Sequence, residues 1–106
     1  MAPGFPNQEE VWLVNLDPTI GTEIQKTRPA LVVSPNDLNE RLPSVIIAPL
    51  TTSGQPLGCR PSLKFNGKDA RILLDQIRSV DKRRLIRPVG QIKRLIWQPT
   101  LLELFS

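Results

Sequence analysis

The order of apolar and polar residues along the chain predicts many short β-strands and little helix. Apolar runs are short, and most end at proline, glycine or polar turn residues, which is typical of strands in a small sheet. The strands are predicted at Val11–Leu16, Ala30–Ser34, Ser44–Leu50, Gly58–Phe65, Arg71–Leu74 and Arg87–Ile92. Within the fourth, Pro61 favours an edge position because proline cannot donate to a neighbouring strand. Asn66-Gly67 is a strong two-residue hairpin signal.

Three short helical segments complete the predicted secondary structure. Pro35–Arg41 resembles a single turn with Asn36 as its N-cap, and Asp81–Leu85 resembles another with Asp81 at its start. Pro99–Phe105 predicts a terminal helix with Pro99 in the first turn, where proline is tolerated. The chain has 11 prolines and 6 glycines, which also favours short elements. Many short strands at close spacing indicate a mainly β fold, a small antiparallel barrel with a short C-terminal helix.

Length and composition predict one domain over residues 1–106, in which residues 1–8 form a flexible lead-in. With 40% hydrophobic residues the chain can bury a small core. Cys59 is the single cysteine, so no disulfide can form within the chain, and we expect a reducing cytoplasm. Neither a signal peptide nor an apolar run of membrane-spanning length is visible, so no membrane association is expected.

The absence of histidine limits the chemistry that this chain can perform. It removes imidazole acid–base pairs, histidine triads and the usual zinc sites, so we expect no metal and no other cofactor. The net charge is +4, and the basic residues concentrate in the second half of the chain. This basic excess favours a polyanionic partner, because lysine and arginine can bind the charged groups of its backbone. Trp12, Phe65 and Trp97 are aromatic residues that could stack on a base.

Three residue types that could cleave RNA lie at the ends of predicted strands. Pro29 forces Arg28 into an extended conformation at the start of one strand. Thr51 ends another strand, and Asp75 follows a third. A guanidinium can hold a phosphate, a hydroxyl can bond a non-bridging oxygen, and a carboxylate with a raised pKa can take the proton of a 2′-hydroxyl. Each residue also has an ordinary interpretation, as a loop cation, a strand-ending threonine and a turn cap.

Four segments together resemble the MazF/PemK/Kid toxins of bacterial toxin–antitoxin pairs. They are WLVNLDPTIGTE, TRPALVVS, SVIIAPLTTS and ILLDQIRSVDKRRL, which occur in the family's order and cover most of residues 8–90. The resemblance implies an SH3-like barrel with a terminal helix, a homodimer, and an acidic antitoxin as partner. It also implies a metal-independent, sequence-selective endoribonuclease. Such an enzyme cuts single-stranded RNA or mRNA and leaves a 2′,3′-cyclic phosphate and a 5′-hydroxyl.

The same resemblance assigns roles to individual residues. Arg28 falls on the arginine of the family's RP motif, Thr51 on its active-site threonine, and Asp75 on the acidic residue that the Kid branch proposes as the base. The candidate RNA contacts are Glu23, Lys26, Thr52, Gln76 and Arg78.

The sequence departs from the family pattern at two places, and it is also compatible with two alternative functions. Leu73 stands where the Kid branch has its proposed acid, an arginine, so Arg28 or Arg71 would have to serve. The C-terminal region is short and interrupted by Pro99. A gyrase-inhibiting toxin of the CcdB type would have the same architecture without catalysis. An RNA-binding barrel without turnover would keep the basic second half.

Overall fold

The computed structural model describes residues 4–16, 27–52 and 57–105. In chain order the strands are β1 (Glu10–Asn15), β2 (Thr27–Val32), β3 (Ser44–Thr51), β4 (Ser62–Phe65), β5 (Lys68–Ile72), β6 (Arg78–Asp81) and β7 (Leu85–Gln91). The helices are α1 (Asn36–Arg41) and α2 (Arg94–Leu104), and two 3-10 turns lie at Leu74–Gln76 and Lys82–Arg84. In these residues no helix is long and apolar enough to cross a membrane.

The strands form one curled antiparallel sheet in the order β4-β5-β3-β2-β1-β7, and β6 also pairs with β3. The sheet curls around β3, because two strands pair with different parts of the same edge of β3. Ser44 to Ile47 pair with β6, whereas Leu50 and Thr51 pair with β5. The result is a half-barrel with a C-terminal helix, which confirms the predicted small antiparallel barrel.

Both faces of this sheet are covered, so its central strands are continuously apolar. Leu31 and Ala48 belong to one buried cluster, while Ala30, Val32 and Ile47 belong to another. Successive residues of a strand point to opposite faces, so the two clusters lie on opposite sides of the sheet. This explains why the apolar runs in the sequence do not alternate with polar residues.

Helix α2 starts five residues earlier than predicted, and Pro99 lies inside it rather than in its first turn. Two contacts establish the earlier start. The Glu9 carboxylate accepts a hydrogen bond from the Arg94 backbone N–H at 2.7 Å, which satisfies a donor in the first turn. Trp97 is fully buried, and its indole N–H donates to the Ile92 carbonyl at 3.0 Å. Tertiary contacts thus override the local proline signal.

The predicted N-cap of α1 was wrong, and one strand was missed. Asn36 is the first residue of α1 rather than its N-cap, which is Pro35. The Asn36 side chain instead accepts a hydrogen bond from the Gln8 backbone N–H at 2.7 Å, which ties the N-terminal segment to α1. Strand β6 was not predicted, because Val80 is its single buried residue and the segment carries little apolar signal. The predicted Asp81 cap is confirmed, since its side chain accepts from the Arg83 N–H at 2.8 Å.

Candidate active site

Antiparallel pairing brings Arg28 and Thr51 to the same end of the sheet. Ala30 of β2 lies opposite Pro49 of β3, and the same register continued by two residues reaches Arg28 and Thr51. Thr51 in turn lies opposite Arg71 of β5. Residues directly opposite each other share a face, so Thr51 is flanked by an arginine on each neighbouring strand.

Arg28 and Thr51 line a cavity of about 510 Å³ at this end of the sheet. Its walls come from β1, β2, β3, the β4–β5 hairpin and β7. The apolar wall consists of Leu13, Pro29, Leu50, Phe65, Ala70 and Val89. The polar wall consists of Arg28, Thr51, Thr52, Asn66 and Lys68. An apolar cavity with a few convergent polar groups is the usual form of a ligand site.

The polar wall of the cavity carries two cations that are available to an anion. Arg28 and Lys68 are both exposed, and neither forms an ion pair with any residue in the described part of the chain. Extended backbone at Arg28 was predicted from Pro29, and the strand assignment confirms it. A guanidinium and an ammonium at one cavity can hold a phosphate group.

Asp75 lies in a different environment, in the 3-10 turn that follows β5. Its carboxylate accepts two hydrogen bonds from Arg60, at 3.0 Å from Nε and 2.9 Å from Nη2. The side chains are 30% and 16% exposed, respectively. Asp75 is not among the cavity-lining residues, so in the described structure it does not share a wall with Arg28 and Thr51.

The contact with Arg60 lowers the pKa of Asp75 below its ordinary value. Burial acts in the opposite direction but has the smaller effect. The raised pKa that a carboxylate base would use is therefore not found in this conformation. The same contact raises the pKa of Arg60. Asp75 is ionised at neutral pH but is a weaker proton acceptor than a desolvated carboxylate.

The predicted RNA contacts are distributed over several parts of the molecule. Thr52 lines the cavity beside Thr51. Gln76 and Arg78 are exposed at the end of the 3-10 turn and at the start of β6, and neither lines the cavity. Glu23 and Lys26 lie outside the described residues.

Three polar residues at or near the site had not been selected from the sequence: Arg60, Asn66 and Lys68. The Asn66-Gly67 hairpin was predicted, and its backbone confirms the turn, with φ of 52° and 81°. What the sequence could not indicate was that the curled sheet folds this hairpin over the ends of β2 and β3. Likewise, no local pattern connects Arg60 with Asp75, which is 15 residues further along the chain.

Comparison with known proteins gives a consistent set of relatives. The family model described as "PemK-like, MazF-like toxin of type II toxin-antitoxin system" matches residues 7–100. The endoribonuclease EndoA of Bacillus subtilis (strain 168) is 35% identical over 83 residues, which are 72% of this chain and 71% of EndoA. The endoribonuclease PemK of Escherichia coli is 51% identical over 47 residues, but these are 42% of this chain and 34% of PemK.

A solved structure with a similar fold is MazF from Deinococcus radiodurans. Its Form-I crystal structure superimposes with a TM-score of 0.79, at 24% identity, and covers 97% of this chain and 98% of the MazF chain. A MazE–MazF complex from the same organism has a TM-score of 0.78 at 24% identity, with coverage of 94% and 95%. At this level of identity the superpositions show a shared fold.

Proposed function

The chain belongs to the PemK-like, MazF-like toxin family of type II toxin–antitoxin systems, and we propose that it is an endoribonuclease that cleaves single-stranded RNA at the cavity beside Arg28 and Thr51. The observation that carries this proposal is the position of these two side chains on one cavity wall, at the end of two paired strands. The names of the curated relatives support the same activity.

In the proposed reaction the 2′-oxygen of the RNA attacks the adjacent phosphorus, and the bond from phosphorus to the 5′-oxygen breaks. Arg28 holds the phosphate by paired hydrogen bonds and offsets its growing negative charge. The Thr51 hydroxyl donates a hydrogen bond to a non-bridging oxygen. The products are a 2′,3′-cyclic phosphate and a 5′-hydroxyl, and no metal ion is needed.

We propose Asp75 as the acceptor of the 2′-hydroxyl proton. In the conformation described, Arg60 holds the carboxylate ionised but weakens it as a base. Transfer of Arg60 from Asp75 to an RNA phosphate would restore the basicity of the carboxylate at the moment when substrate is present. The Asp75 side chain is 30% exposed, which gives an RNA phosphate access to the pair.

Proton return to the 5′-oxygen has two candidates, both arginines beside Thr51. Arg71 lies directly opposite Thr51. It could therefore take the place of the Kid-branch arginine, whose position is occupied here by Leu73. Because a guanidinium holds its protons too tightly to be a good direct donor, a water molecule held by Arg28 or Arg71 would deliver the proton. Both arginines also stabilise the charge on the phosphate.

Further RNA contacts extend from the cavity along the basic half of the chain. We propose that Thr52 binds the nucleotide beside the scissile phosphate, and that Gln76 and Arg78 bind the strand near Asp75. Glu23 and Lys26, which precede β2 in the sequence, are proposed as further contacts. Such contacts position the strand and contribute affinity, while base contacts give the sequence selectivity.

The proposed protein partners are an acidic antitoxin and a second copy of this chain. Structures of MazE–MazF complexes among the similar folds support the antitoxin. For the homodimer, α2 and its C-cap residue offer exposed apolar side chains at spacings of seven and three residues: Leu95, Leu102 and Phe105 are 85%, 64% and 72% exposed. A row of exposed apolar residues of this kind is typical of a surface that associates.

The direct test of the proposed site is an Arg28→Ala variant on a long single-stranded RNA in EDTA. We expect cleavage by the wild type and a loss of about 10²–10³-fold in rate for the variant, since Arg28 acts on the transition-state charge. Arg41→Ala is a matched control, because Arg41 is an exposed arginine on α1 paired with Asp37 and away from the cavity.

Equal loss of activity in both variants would point to nonspecific charge effects and contradict the assigned role of Arg28. RNA binding without cleavage by the wild type would favour the RNA-binding barrel without turnover. A wild type that neither binds nor cleaves RNA would favour the gyrase-inhibiting toxin, and inhibition of gyrase would then be measured.

A further inference from the structure

We propose that the cavity binds one nucleobase of the RNA next to the scissile phosphate, and that Asn66 at the tip of the β4–β5 hairpin selects that base. This inference rests on the proposed ribonuclease activity and adds to it the residue that determines sequence selectivity at one position.

The walls of the cavity have the chemistry of a base-binding site. Leu13, Leu50 and Val89 provide an apolar surface, and Phe65 adds an aromatic ring. Bases of single-stranded RNA are recognised when they are splayed out and stacked on such side chains. The volume, about 510 Å³, is within the usual range of small-molecule pockets.

The fold fixes the position of the Phe65 ring at this wall. Gly90 of β7 faces the ring, and a Cβ at position 90 would lie 2.7 Å from both Cε1 and Cζ of Phe65. The ring therefore occupies the space that any other residue at position 90 would fill. A ring fixed in this way loses little freedom when a base stacks on it.

Among the described residues, Asn66 provides the side-chain amide of the cavity wall. The residue has a φ of 52°, in the left-handed region that asparagine tolerates, and Gly67 follows with a φ of 81°. This two-residue turn holds the side chain at the tip of the hairpin. An amide presents a donor and an acceptor together, so it can distinguish bases by the edge they offer.

The two lysines of the hairpin differ in whether they line the cavity and in whether they are paired with an acidic side chain. Lys68 lines the cavity and has no ion-pair partner among the residues described. Lys64 lies on the same hairpin but is paired with Asp69 at 3.3 Å and does not line the cavity. Arg28 lines the same cavity from β2, so Arg28 and Lys68 can hold successive phosphates, and the base between these two phosphates would enter the cavity.

The test compares the wild type with Asn66→Gly and Lys64→Ala on a pool of single-stranded RNA with random sequence, in EDTA, with the cut sites sequenced. Glycine also adopts a positive φ readily, so Asn66→Gly keeps the turn while it removes the amide. We expect the preference at one position beside the cut to weaken, and kcat/KM on the preferred sequence to fall about 5–150-fold, as for the loss of one base contact. Lys64→Ala should keep both the preference and the rate.

The same three proteins are compared for binding to 2′-fluoro RNA, which lacks the attacking hydroxyl and needs no turnover. Here Asn66→Gly should lose its discrimination between bases while Lys64→Ala keeps it. Unchanged base preference in Asn66→Gly, by either measurement, overturns the inference. A wild type that discriminates bases in binding but does not cleave contradicts the proposed ribonuclease while the base-binding site stands.

Discussion

At the scale of single residues, the ion pair between Arg60 and Asp75 controls the candidate base. A paired carboxylate keeps its charge down to lower pH than a free one, because the contact with Arg60 lowers the pKa of Asp75 below its ordinary value. The position of this carboxylate depends on a residue in the loop before β4, which is remote in sequence.

Replacing Arg60 should move the acid limb of the pH–activity profile upward. In the proposed mechanism activity requires the ionised Asp75 carboxylate, so activity is lost as the pH falls through the pKa of Asp75. In Arg60→Ala the lowering contact is gone and burial alone acts on the carboxyl group, so its pKa returns to or above the ordinary value. The measurement is kcat/KM for RNA cleavage between about pH 3 and 8.

Arg83→Ala is the control for this experiment, because Arg83 also binds an aspartate, Asp81, through its guanidinium but lies away from Asp75. Its profile should match the wild type. An acid limb that does not move in Arg60→Ala would contradict the role of Asp75 as base.

Some residues of the candidate site could be predicted from the sequence, and others could not. Arg28 and Thr51 could be predicted because each stands at a strand end that local signals define. Arg60 could not, because its contact with Asp75 is made by the path of a loop. For Asp75 the sequence predicted the residue but not the direction of its pKa, since that direction depends on Arg60.

At the scale of elements, the contact between the β4–β5 hairpin and β7 shapes the cavity. Phe65 fits against Gly90 with no room for a further atom. The hairpin is an edge element, since β4 is the last strand in the sheet, and this contact joins it to the strand at the other end of the sheet.

Gly90→Ala should therefore destabilise the fold and displace the Phe65 ring. An added methyl group in a packed contact typically costs about 1–3 kcal/mol in the free energy of unfolding. Gly58→Ala is a matched control, because a Cβ at position 58 meets nothing within 4 Å. Both variants are measured by denaturant unfolding. Equal stability of the two would show that the hairpin is not held against β7 as described.

The elements themselves were predicted unevenly, for physical reasons. Strands with continuous apolar runs were found because both faces of the sheet are buried. Strand β6 was missed because it has one buried residue, Val80. The start of α2 was wrong because a carboxylate from Glu9 and the burial of Trp97 determine it, and both contacts join segments that are distant in the sequence.

At the scale of the whole molecule, the sheet curl assembles one site from segments far apart in the chain. Residues from β1, β2, β3, the β4–β5 hairpin and β7 meet at one cavity, and its polar wall carries Arg28 and Lys68. The fold class could be predicted from the sequence, and so could the selection of Arg28 and Thr51, which the structure places on the cavity wall. The cavity, with Asn66 and Lys68 on its wall, could not be predicted, because its form depends on how far the sheet curls.

The central claim is that a 2′-hydroxyl of bound RNA attacks the phosphate held at this cavity. The most direct measurement is cleavage in EDTA of two oligonucleotides that differ only at the cut site, one all-RNA and one with a single 2′-deoxynucleotide there, with fragment ends identified by mass spectrometry. We expect the all-RNA strand to give a 2′,3′-cyclic phosphate and a 5′-hydroxyl, and the 2′-deoxy strand to stay intact at that position. Cleavage of the 2′-deoxy strand at the same site, or fragments with 5′-phosphate ends, would contradict the account.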